Sequence, residues 1–141
     1  MTLGPQLRII VGALVMGVAL FGAIAAFVGP LAPDDGLGGA LRYAAVAMVV
    51  VGTIGASAVS RRLRERLASA SPGEVDPDAE IQTHTILAMA LAEAGALISL
   101  VGALLTGEPF FFGLVLPFFL IAATVFPTET RLDALRRLVR E

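Results

Sequence analysis

Four long runs of apolar residues limit the possible folds of this chain more than any other feature of its sequence. They cover roughly residues 9–28, 41–60, 83–105 and 110–126. A helix needs about 17–25 residues to cross the hydrocarbon core of a bilayer, and backbone groups within lipid must find their hydrogen bonds inside the segment. The sequence therefore predicts an all-α integral membrane protein, a four-helix transmembrane bundle that forms a single domain over residues 1–141.

The composition supports a membrane protein and argues against several other classes. Hydrophobic residues make up 57% of the chain and charged residues 16%, whereas soluble domains average about 45–50% and about 25%. There is no cysteine, which excludes disulfides, thiolate metal ligands and a cysteine nucleophile. No nucleophile–base pair, metal cluster or phosphate-binding loop is recognisable. We therefore expect no enzyme activity, no cofactor, no bound metal and no nucleic-acid partner.

The first apolar run could be read as a cleaved signal peptide, because Ala23–Ala26 offers small residues for a peptidase. Its apolar core is longer than the 7–15 residues that are typical of such signals. We therefore expect an uncleaved first span.

The arginines predict the orientation of the bundle. Nine of them flank the same ends of the spans, and only Arg42 lies on the other side, together with Asp34, Asp35 and Glu108. Loops rich in basic residues stay in the cytoplasm. We therefore expect a multi-pass protein of the cell (inner or plasma) membrane, with both termini and the central loop 61–80 in the cytoplasm.

Short amphipathic segments are predicted at the cytoplasmic side. Leu63 and Leu67 continue the apolar face of the second span, and Asp76 is an N-cap candidate with Pro77 at the first helical position. Thr128 caps an amphipathic tail over residues 128–141.

The arginines of these segments have two interpretations. They can contact anionic lipid headgroups at the membrane surface, which we favour, or they can dock a soluble partner. The membrane-surface candidates are Arg61, Arg62, Arg64, Arg66, Arg131, Arg136, Arg137 and Arg140.

Small residues form a stripe along the third span, and such stripes let helices pack closely in lipid. The stripe consists of Ala88, Ala92, Gly95, Ser99 and Gly102. A bundle of this size has little interior of its own, so we also expect self-association into a homo-oligomer.

Glu93 lies near the middle of the third span, and no other span has a charged residue at its centre. Acidic residues within a membrane are rare and usually functional. Two groups are candidates to serve this carboxyl: the Thr53 hydroxyl, and the backbone carbonyl of Gly113, which Pro117 leaves without its helical donor. His84 is half a turn out of phase with Glu93 and is expected to be an interfacial residue.

Two functions are compatible with this pattern. In one, Glu93 binds and translocates a proton or a monovalent cation. In the other, Glu93 is a protonated structural contact between helices, and the chain is a structural or assembly protein that binds a partner through its arginine-rich tails.

The segment from Ala90 to Phe110 resembles the second helix of the c subunit, or proteolipid, of rotary ATP synthases. The matching residues are Ala90, Glu93, Ala94, Leu100, Val101, Ala103, Leu104 and Pro109. The second and third spans also match the family's hairpin, although this chain has a longer loop, fewer glycines and two additional spans. The resemblance implies that Glu93 is an ion-binding carboxylate.

Overall fold

The computed structural model describes residues 3–31, 36, 38–71 and 74–138, and every assigned element in them is a helix. In chain order, the helices are α1 (Leu3–Val28), α2 (Gly38–Ser69), α3 (Pro77–Thr106), α4 (Pro109–Gly113), α5 (Leu116–Val125) and α6 (Glu129–Arg137). Three of them, α1 to α3, are long and apolar enough to cross a membrane. A fourth candidate span combines Pro109–Val125 with α6, which is bent away from it by 66°.

The ends of α3 follow from its capping residues. The Asp76 side chain accepts a hydrogen bond from the Asp78 amide at 3.0 Å, and Pro77 occupies the first turn, where its missing N–H costs nothing. Gly107 ends the helix in the left-handed conformation, with φ of 71°. The predicted N-cap of the third span is therefore confirmed.

Both predicted amphipathic segments are helical where the structure describes them. Helix α2 continues to Ser69 and buries Leu63 and Leu67. At α6, the Thr128 side chain accepts a hydrogen bond from the Arg131 amide, as expected of an N-cap. The tail also includes Arg140, which lies outside the described residues.

The fourth predicted span, Pro109–Val125, contains an irregular turn at Leu114 and Val115, which keep right-handed helical φ and ψ values. It is divided at Leu114 and Val115 into α4 and α5. Pro117 explains the break, because a proline has no N–H to donate and its ring collides with the carbonyl four residues earlier. The phenylalanines divide between two environments: Phe111 and Phe118 are buried, whereas Phe110 and Phe119 are exposed.

Helix α3 is central and packs against all the other helices. The small-residue stripe predicted along it is buried throughout its length. At Gly95, a Cβ atom would come within 2.9 Å of the Val49 Cα of α2. At Gly102, the Phe111 ring occupies the position that a side chain would need. The stripe therefore allows α2 and α4 to approach the α3 backbone.

One end of the molecule has its own apolar core, which we call the arginine-end cluster. It joins residues from α1, α2, α3 and α6: Leu7, Leu63, Leu67, Ile81, Leu132 and Leu135. The cluster holds α6 against the beginnings of α1 and α3 and the end of α2. Arg8 of α1, the four arginines at the end of α2 and the arginines of α6 thus lie at this end, around the start of α3.

Candidate functional site

Glu93 lies near the middle of α3, a helix of 30 residues. Such a helix is about 45 Å long, so the carboxyl is roughly 20 Å from either end along the axis. Helix phase places the residue at the edge of the buried face. Ala92 and Ala96 are buried on one side, Ala90 and Leu87 are exposed on the other, and Glu93 itself is half-buried.

The described residues give the Glu93 carboxyl no hydrogen-bond donor and no ion-pair partner. Every fully buried side-chain oxygen in the described part of the chain has a hydrogen-bond partner. The Glu93 oxygens have no partner, so they are not fully buried. Glu93 therefore reaches the surface of the helical assembly at mid-height.

The structure does not bring Thr53 to Glu93. Leu91 and Gly95, two residues before and after Glu93, both face α2. Positions two apart on a helix point about 160° away from each other, so Glu93 points away from α2. Thr53 instead lines a cleft with Ser57 and Arg61.

The Gly113 carbonyl is also displaced from Glu93, and the reason is the register of α3 against α4. Gly102 of α3 meets α4 through the Phe111 ring. Gly102 lies nine residues beyond Glu93, about 13 Å along the helix axis, and Gly113 is two residues beyond Phe111 on the returning helix, so an axial offset of about 10 Å remains. The expected bond from the carboxyl to this carbonyl therefore has no support in the geometry.

Helix α1 is the neighbour that Glu93 turns toward. Leu100, two helical turns further along the same face of α3, packs over Gly22 of α1. Helix α1 has no polar side chain between Ile9 and Val28. Because the side chains of α1 in this region are all apolar, they offer the Glu93 carboxyl no hydrogen-bond donor.

Charged residues pair with one another at both ends of the molecule. Arg42 donates two hydrogen bonds of 2.8 Å to the Glu108 carboxylate at the end opposite the arginine-end cluster. This hydrogen-bonded guanidinium lowers the pKa of Glu108 despite some desolvation. Sequence reasoning missed this pair, although the two residues lie on the same predicted side of the membrane.

Further ion pairs join the helices at the arginine end. Arg136 donates to both Asp78 oxygens, at 2.7 and 3.0 Å, and thereby ties α6 to the first turn of α3. Arg8 bonds Glu129 at 2.7 Å, and Arg66 lies 3.6 Å from Glu80. Two of the arginines expected at the membrane surface, Arg66 and Arg136, therefore form ion pairs within the protein.

His84 lies beside Glu80 and far from Glu93. Its Nδ1 atom is 2.9 Å from the Glu80 carbonyl oxygen and 3.2 Å from the Glu80 carboxylate. His84 thus lies about two turns from the start of α3, and its expected position at the membrane interface stays a prediction.

No protein-family model, curated protein or solved structure matches the chain. The class is therefore defined by the structure itself: an all-helical protein with three to four apolar helices long enough to span a membrane.

Proposed function

We propose that this chain is a four-span membrane protein in which Glu93 reversibly binds a proton or a monovalent cation. The observation that carries the proposal is a half-buried carboxyl at mid-helix with no partner among the described residues. A structural acid that joins two helices needs a hydrogen-bond partner, because an unmade bond in a low-dielectric setting is costly. Exchange with an external ion needs the opposite arrangement, an accessible carboxyl.

The proposed orientation has both termini in the cytoplasm of the cell membrane. Its support is the gathering of the arginines at one end, where α1 and α3 begin and α2 ends. Arg42 is the exception, and it is paired with Glu108 at the other end. The positive-inside rule assigns the arginine end to the cytoplasm.

A homo-oligomer completes the proposal. Glu93 opens onto the surface of one copy, where hydrocarbon would surround it, and a second copy can supply the polar atoms that α1 lacks. The resemblance of Ala90–Phe110 to the ATP synthase c subunit supports the ion-binding part of the proposal, because it implies that Glu93 is an ion-binding carboxylate.

Carbodiimide labelling tests the proposal. Dicyclohexylcarbodiimide reacts with protonated carboxyls in apolar surroundings, so Glu93 in native membranes is expected to be the main modified residue. We expect labelling to fall as pH rises, and protection by sodium would identify a cation site. Glu108→Gln, which removes a water-exposed carboxylate, serves as the matched control and should label like the wild type.

Transport gives the second readout. Purified protein in liposomes is expected to pass protons or sodium down a gradient, and Glu93→Gln should fold normally but lose this flux. Absence of labelling at every pH, together with unchanged flux in Glu93→Gln, would reject the proposal. It would favour the alternative, an assembly protein that acts through its arginine-rich tails.

A further inference from the structure

A polar cleft lies between α2 and α5, at some distance from Glu93. Its volume is about 300 Å³. Two guanidinium groups, three hydroxyls and two apolar side chains line it: Ala56, Ser57, Ser60, Arg61, Arg64, Ile121 and Thr124. A second cleft shares Ser57 and Arg61 and continues along α2 to Ile54, which is exposed. The cleft thus has a basic, hydroxyl-lined end beside an apolar flank.

The positive charge of this cleft is not balanced by described carboxylates. Arg61 and Arg64 form no ion pair with any residue that the structure describes, in contrast to Arg8, Arg66 and Arg136. A third arginine adds to the charge from α6. Burial, and then the nearby charge of Arg64, lower the pKa of Arg131, which does not itself line the cleft.

Like charges held together in this way are stabilised by an anion. Arginine provides several N–H donors in a fixed fork that matches phosphate oxygens, and serine hydroxyls can add further donors. Basic pockets between membrane helices on the cytoplasmic side are typical sites for phospholipid headgroups. The orientation proposed above gives this cleft that location.

We propose that the α2–α5 cleft binds the phosphate of an anionic phospholipid, with Arg61 and Arg64 as its main ligands. The phosphate chemistry is shared with free inorganic phosphate. The apolar flank at Ile54 favours the lipid, because it continues from the charged end in the direction that acyl chains would take.

Lipid retention by the purified protein tests this site. Wild-type protein in detergent, titrated with phosphatidylglycerol or phosphatidylcholine, is examined by native mass spectrometry. We expect one phosphatidylglycerol to be retained in preference to phosphatidylcholine. The double variant Arg61→Gln/Arg64→Gln should weaken this binding on the order of 10- to 30-fold.

The matched control is Arg62→Gln/Arg137→Gln, which removes the same charge from exposed arginines outside the cleft. We expect this control to bind phosphatidylglycerol within about twofold of the wild type. Equal losses of phosphatidylglycerol binding in both double variants would overturn the proposal. They would indicate that the lipid is attracted by the overall positive charge of the protein surface and not by the cleft.

Two further measurements separate the remaining explanations. Ser57→Leu fills both clefts without removing a charge and should abolish the preferential binding; wild-type binding in this variant would contradict the site. Displacement of phosphatidylglycerol by millimolar inorganic phosphate would assign the cleft to a soluble anion and overturn the lipid proposal. Thermal unfolding in detergent checks that each variant is folded.

Discussion

At the scale of single residues, Gly52 and Gly95 determine how closely α2 and α3 approach. A Cβ on Gly52 would overlap the Leu91 carbonyl oxygen, and one on Gly95 would collide with the Val49 backbone. Backbone atoms cannot move aside as the end of a flexible side chain can. The two glycines therefore control the contact between these helices from opposite sides.

The Gly52→Ala substitution is expected to destabilise the protein by about 1–3 kcal/mol, because α2 and α3 must separate along their whole contact. Reversible unfolding in mixed micelles measures this loss. Gly12→Ala in α1 is the matched control. A Cβ at Gly12 meets nothing within 4 Å, so this change should be neutral or slightly stabilising. Equal stabilities of the two variants would contradict the close-packing argument.

At the scale of elements, the predictable features were those that depend on local chemistry. The Asp76 cap and the buried stripe of α3 follow from short-range rules for capping and small-residue packing. The partners of Glu93 could not be predicted in this way. They depend on the rotation of α3 and on the register of its hairpin with α4, and neither is encoded in the spacing along one helix.

The break between α4 and α5 is an element whose cause can be tested. Pro117→Ala restores an N–H that can donate to the Gly113 carbonyl, so we expect a continuous helix through Leu114 and Val115. Hydrogen exchange should show slower exchange across these residues. Pro109→Ala is the control: Pro109 starts α4, where an N–H has no helical acceptor, and exchange should not change. Unaltered exchange in Pro117→Ala would assign the break to tertiary packing.

At the scale of the whole molecule, the two ends have different apolar clusters. At the end with Arg42 and Glu108, the exposed ion pair contributes little to stability, and a buried cluster of Ala25, Ala45, Ala103 and Phe111 joins α1 to α4. The arginine end has an apolar cluster contributed by four helices, and α6 supplies Leu132 and Leu135 to it. Helix α6 is held by this cluster, by Arg136, which bonds Asp78 of α3, and by Arg8, which bonds Glu129. Docking of α6 therefore depends on a small set of side chains that can be changed one at a time.

The Leu132→Ala substitution should release α6 without unfolding the spans. Loss of a buried leucine costs about 2–5 kcal/mol, and the open population rises about tenfold for each 1.4 kcal/mol. Because proteolysis follows that population, trypsin should cut after Arg136 and Arg137 at least about tenfold faster than in the wild type. Thr130→Ala changes an exposed residue of the same helix and should leave the rate of cleavage unchanged.

The same cleavage tests the orientation. With the proposed orientation, cleavage should occur in inverted vesicles and not in right-side-out vesicles. Cleavage from the outer side would reverse the topology, and a wild-type rate for Leu132→Ala would show that the cluster does not hold α6.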